Sequence, residues 1–244
     1  MRNTVINYIV FCLIFIQFTS YAQDAKTVVY LIPGQGADAR QFNLLKIDQQ
    51  FEIRNIEYFT PEKGWEMHEF ARALAQQIDT TGRFIIIGVS LGGMLATEMG
   101  VFLHPEKIII ISSAKHRNEL PGRYTFQKSI PIYKLVPAGV TKWGAKFLQP
   151  LVEPDSKNGR DVFLEMLNDK DPDFLKRTAA MIIRWERNES RVDIVHIHGD
   201  NDHTIPIRNV DYDYLIEDGS HMMVYTRADE ISDLINKILI EGVM

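Results

Sequence analysis

Uninterrupted apolar runs alternate with amphipathic stretches along most of the chain. "TVVYLIPG" (27–34) is apolar at consecutive positions, which suits a strand buried on both faces. "ADARQFNLLK" is compatible with a helix, and "FEIRNIEYFTP" alternates polar and apolar positions as a second strand does. In "WEMHEFARALAQQI", Met67, Phe70, Ala71, Leu74 and Ile78 recur along one helical stripe. "RFIIIG" predicts a third strand, "LGGMLATEMGVFL" the helix it feeds, and "EKIIIISS" a fourth strand. This rhythm predicts an α/β fold, a mostly parallel sheet with helices on both faces.

From about 115 to 188 the rhythm gives way to helix-like pieces separated by Pro and Gly: "TKWGAKFLQPLV", "GRDVFLEMLND" and "PDFLKRTAAMIIRWERN". We read this stretch as a helical insertion. Its Trp143, Phe147, Leu151, Phe163, Met166, Phe174, Met181 and Trp185 are, at helical spacing, first of all the insertion's own packing residues. The sheet resumes with "RVDIVHIHG" (191–199) and "NVDYDYLIEDG" (209–219). A last helix, "ADEISDLINKILIEG", spaces Ile231, Leu234, Ile235 and Ile238 on one face.

Composition narrows the class. With 244 residues, 45% hydrophobic and 24% charged, the chain has the material for one sizeable core, assigned to residues 23–244. A net charge of −5 with no long Lys/Arg run argues against a nucleic-acid partner. At the start, Arg2 precedes an apolar stretch from about Val5 to Phe18, shorter than the ~20 residues of a spanning helix. Ser20-Tyr21-Ala22 then supplies the small residues of a cleavage site, so residues 1–22 read as a signal peptide and the protein as exported, periplasmic or secreted. An uncleaved N-terminal membrane anchor is the alternative; after cleavage no stable membrane span is expected. Cys12 is the single cysteine and falls in the leader, so disulfides, thiolate catalysis and sulfur-rich metal sites are not expected in the mature chain.

Gly88-Val89-Ser90-Leu91-Gly92 fits G-x-S-x-G between an apolar strand and a helix. Taken alone, the pentapeptide is equally a structural Gly-Ser turn. A serine hydroxyl needs a base, and an imidazole base needs a carboxylate to fix its tautomer. "HGDNDHTIP" (198–206) and "EDGSHMM" (217–223) supply both downstream and in order, and on these motifs the chain resembles the α/β-hydrolase superfamily. The resemblance, which spans about residues 27 to 240, implies Ser90 as nucleophile, Asp202 as acid and His221 as base. Asp200 stands as the rival carboxylate, while His68, His104 and His116 precede the acid in sequence and His203 lies directly beside it. It further implies an oxyanion hole from the backbone N–H groups of Leu91 and of Gln35 in "IPGQGAD", although Pro33 stands where many relatives carry histidine. The family's two extra leading strands have no room, so about six strands are expected, with residues 115–188 as a lid.

Two other classes compete. "HIHGDNDH" echoes the H-x-H-x-D-H run of metallo-β-lactamase-like hydrolases through His196 and His198, but Asn201 stands where that run needs histidine. A ligand-binding protein with slow or no turnover on the same fold is the second. The leading expectation is a serine hydrolase that needs no cofactor and no metal and acts on a small-molecule ester with an apolar part, or less favourably on a thioester or amide.

Overall fold

The computed structural model describes residues 26–152, 159–189 and 192–241; the leader assigned to 1–22 lies outside them. The apolar runs become β1 (Val28–Ile32), β2 (Glu52–Asn55), β3 (Phe84–Val89), β4 (Lys107–Ile111), β5 (Val195–Gly199) and β6 (Tyr214–Ile216). They form one six-stranded sheet in the order β2-β1-β3-β4-β5-β6. Each neighbouring pair is parallel. All six residues of β3, and four of five in β1, β4 and β5, are buried, as continuous apolar strands sandwiched between helices require.

Successive side chains of these strands feed opposite cores. On one face Tyr30, Ile32, Phe84, Ile86, Ile108 and Ile110 pack with Met67, Phe70 and Leu74 of α1 (Met67–Leu74) and with Leu91, Leu95 and Met99 of α2 (Leu91–Met99). On the other, Val29, Leu31, Ile85, Ile87, Ile109, Ile111 and Ile197 pack with Ile231, Ile235, Ile238 and Leu239 of α8 (Ala228–Glu241). A one-turn helix, α7 (Met223–Thr226), precedes α8.

Between β4 and β5 the chain forms α3 (Gly122–Ser129), α4 (Ala138–Val152), α5 (Arg160–Asp169) and α6 (Pro172–Arg184). Asp171 caps α6 by accepting the Asp173 N–H, with Pro172 at its first position. Met166, Phe174, Met181 and Trp185 are buried, as the sequence predicts. Beyond α6, Trp185 Nε1 donates to Glu98 Oε1 of α2 at 2.7 Å, and Arg187 holds the same carboxylate through two nitrogens. This buried junction joins the helical segment to the helix that follows Ser90.

Three expectations need correction. Trp143 and Phe147 are 65% and 66% exposed, so they are not packing residues; Leu151 lies outside the described side chains. The stretch "ADARQFNLLK" forms only a 3₁₀ turn at Ala39–Phe42. Beyond Leu45 the backbone turns to α8: Ser232 Oγ accepts the Lys46 N–H and Asn236 Oδ1 the Asp48 N–H, both at 2.9 Å. Finally, β6 takes up only Tyr214–Ile216 of the stretch 209–219; just before it, Asp213 N–H donates to the His196 carbonyl and the Asp213 carboxylate accepts the His196 N–H.

Candidate active site

Ser90 occupies the turn from β3 into α2 at φ 52°, ψ −117°, a region that costs a non-glycine residue on the order of 1–3 kcal/mol. Its neighbours hold it there. A Cβ on Gly88 would lie 2.3 Å from the Gly92 oxygen, and one on Gly92 would lie 2.1 Å from the Ile32 oxygen, so strand, turn and helix meet at backbone contact. Ser90 N–H donates to Ile111 O at 3.0 Å, and Ser113 Oγ donates to Ser90 O at 2.7 Å. Both bonds reach across to β4 and fix the residue at the carboxyl edge of the sheet.

Asp202 follows β5 and His221 follows β6. These two strand ends approach so closely that a Cβ on Gly199 would lie 2.1 Å from Gly219 O, and Asn201 N–H donates to that same oxygen at 3.1 Å. The Asp202 side chain is fully buried. Its Oδ1 accepts the Thr204 and Ile205 N–H groups, each at 2.8 Å, and its Oδ2 lies 2.8 Å from His221 Nδ1. Burial by itself would raise this carboxyl's pKa. The His221 charge and hydrogen bond, with the neighbouring donors, outweigh burial and hold it below the usual carboxylate range.

His221 Nε2 lies 2.9 Å from Ser90 Oγ. A carboxylate only accepts, so the proton of the neutral ring belongs on Nδ1, and the Nε2 lone pair faces the serine hydroxyl. The ring is 12% exposed, sheltered yet open on one side. The structure therefore brings Ser90, Asp202 and His221 into one hydrogen-bonded row. The rival Asp200 is exposed, as are His68, His104 and His203. His116 is instead 3.9 Å from Glu119.

Gln35 and Leu91 lie on the loop after β1 and at the first position of α2, and neither backbone N–H donates to a protein acceptor among the described residues. The loop after β1 is braced from three sides. Tyr58 Oη donates to Pro33 O at 2.5 Å, and Gln41 Oε1 accepts the Gly34 N–H at 2.8 Å. The Gln35 side-chain amide donates to Leu175 O at 3.0 Å and Thr178 Oγ1 at 2.8 Å on α6. Gly36, at φ 81°, completes the turn where a Cβ would press on Leu167 of α5 at 3.0 Å. Tyr58, Gln41, Thr178 and Ser113 were not singled out from sequence. Only Ser113 carried a local signal, as the second of two serines ending an apolar strand; the others come from distant segments.

His196 and His198 are fully buried on β5. Their rings approach at 3.1 Å through His198 Nδ1 and His196 Nε2, His196 Nδ1 lies 3.0 Å from Asp211 O, and His198 Nε2 lies 2.8 Å from Ile205 O, three contacts that two neutral rings serve with two N–H protons. All four nitrogens are thus engaged by protein, and no group of three or more His, Cys, Asp or Glu among the described residues has metal-holding geometry. A separate cavity of 1110 Å³, lined by residues including Arg72, Glu98, Tyr133 and Arg184, contains none of Ser90, Asp202 and His221.

A family model described as "Alpha/beta hydrolase family" matches residues 11–234. The chain belongs to the α/β-hydrolase family, and its class is that of a hydrolase. Among solved structures it is similar to an esterase from Thermogutta terrifontis, at 14% identity and TM-score 0.69 over 88% of this chain and 90% of that one. A lipase-esterase related protein from Clostridium acetobutylicum aligns at 14% identity and TM-score 0.63, over 88% and 95% of the two chains. An enol-lactonase from Burkholderia xenovorans aligns at 14% identity and TM-score 0.63, over 88% and 92%. At such identity these likenesses establish the fold. No curated protein matches the sequence.

Proposed function

We propose that the protein cleaves a small-molecule carboxylic ester with an apolar part through an acyl-serine intermediate. One observation carries the reading: the continuous bonding from Ser90 Oγ through His221 to Asp202 at 2.9 and 2.8 Å. In the first half-reaction Ser90 Oγ bonds to the carbonyl carbon while its proton passes to His221 Nε2. The resulting oxyanion is held by the N–H groups of Gln35 and Leu91, and collapse expels the alcohol, which takes the proton from His221. In the second, water gives a proton to His221 Nε2 as its oxygen bonds to the acyl carbon, and His221 returns that proton to Ser90 Oγ as the acyl–Oγ bond breaks and the acid leaves. Asp202 stays ionised and keeps His221 in the required tautomer. Every step uses side chains and backbone of this chain, with no cofactor.

The apolar part of the substrate is inferred from the partly exposed Phe163 and Tyr225, which pack on the buried Ala37, Met166 and Met222 next to the loop after β1. A name such as esterase or enol-lactonase on a distant relative agrees with acyl chemistry. Export is part of the proposal and is supported by the leader-like residues 1–22. The test is hydrolysis of p-nitrophenyl esters of graded acyl length by the purified protein and by Ser90→Ala, with and without EDTA. We expect turnover that favours apolar acyl chains, is unaffected by EDTA, and falls by ~10³-fold or more in the variant with unchanged thermal unfolding. Undiminished turnover in Ser90→Ala would sink the proposal.

A further inference from the structure

We propose that the α3–α4 face of the helical segment docks on an anionic lipid surface. Half of the large apolar side chains exposed among the described residues fall between Phe126 and Phe147. Val140, Trp143 and Phe147 recur at i, i+3 and i+7 along α4 and form one outward stripe, 51%, 65% and 66% exposed. The Trp143 and Phe147 rings stack on each other at 5.3 Å, an extended aromatic surface facing out while α4 packs inward on α6. Leu135, 84% exposed, and Ile132, 57% exposed, continue this apolar surface along the chain before the helix. A water-facing patch of this kind calls for a partner.

Charge names the partner. From Leu120 to Val152 the sequence holds Arg123, Lys128, Lys134, Lys142 and Lys146 and no aspartate or glutamate, in a protein whose net charge is −5. Among the described residues only Lys128 meets a carboxylate, Glu186 at 2.7 Å. Lys142 donates to two backbone carbonyls, of Asn168 and Lys170, and its charge is felt by Asp171 without a direct ion pair among the described residues. Exposed aromatics on a segment with five cations and no carboxylate of its own match a bilayer interface, where rings settle at headgroup level and Lys/Arg meet anionic lipid. A second copy of this acidic chain would supply apolar cover through the same patch, but two such basic segments would repel across a symmetric contact. The proposal does not depend on hydrolysis.

The test is fluorescence of the full chain with vesicles carrying brominated acyl chains, in phosphatidylglycerol-rich and in pure phosphatidylcholine form, alongside Trp143→Phe. Position-specific quenching separates this face from any binding by the N-terminal apolar residues. We expect quenching on the anionic vesicles, at least about tenfold weaker vesicle affinity without anionic lipid, and loss of the quenched component in Trp143→Phe. Equal quenching of wild type and variant would overturn the proposal. So would a solution dimer that Trp143→Ser dissociates, if Trp143 is unquenched by vesicles.

Discussion

At the residue scale, the proposed chemistry turns on where one proton sits. The two N–H groups on Asp202 Oδ1 lock the carboxylate, leaving Oδ2 to accept from His221 Nδ1. Changing Asp202 to Asn keeps the shape and places either an amide N–H or a neutral oxygen against that ring, which permits the wrong tautomer. We expect Asp202→Asn to lower kcat by about 10³–10⁴-fold, while Asp200→Asn, at an exposed position, leaves it within about twofold. Parallel kcat and KM measurements on the two variants decide between the carboxylates; the reverse ranking would move the acid to Asp200. Ser90 was legible in the sequence as a glycine-flanked serine between strand and helix, and Asp202 and His221 through the family resemblance carried by "HGDNDHTIP" and "EDGSHMM". The braces were not: Tyr58, Gln41 and Thr178 reach the loop after β1 through side-chain geometry that no local pattern encodes.

At the scale of elements, β5 does more than carry Asp202 at its end. Burial, and next the like charge of His198, hold His196 at about 3, far below the ordinary imidazole value near 6.5. The unfolded chain therefore binds this proton well before the folded one does. His196 contributes stability that is complete above about pH 6.5 and is lost as pH falls toward 3, on the order of a few kcal/mol. Asp202, held low in the fold, adds to the loss in the acid range where carboxylates protonate. Urea midpoints measured from pH 7 down to 4 should fall steeply for the wild type and less steeply for His196→Gln; identical slopes would contradict this origin. The central strands and α1, α2 and α8 were readable because period and burial agree. The stretch after β1 is compatible with a helix in sequence yet forms one only at Ala39–Phe42, and the amides at and just past its end are taken by Ser232 and Asn236, almost two hundred residues away.

At the scale of the whole molecule, the fold is a device for convergence. Parallel strands present all their carboxyl ends at one edge, so Ser90, Asp202 and His221 meet although 131 residues separate the first from the last. The mostly parallel sheet followed from alternation and the strand number from the family resemblance, whereas the exposure of Trp143 and Phe147 followed from neither, since helical spacing looks the same whether a stripe faces a core or a partner surface. The central claim is that Ser90 becomes covalently acylated during turnover. Its most direct test is intact-protein and peptide mass spectrometry after treatment with a fluorophosphonate and, separately, after rapid acid quench with a slow ester. The account predicts a single adduct on the peptide containing Ser90 in both experiments. Turnover of the ester with Ser90 unmodified at every quench time, and activity that survives the fluorophosphonate, would contradict it.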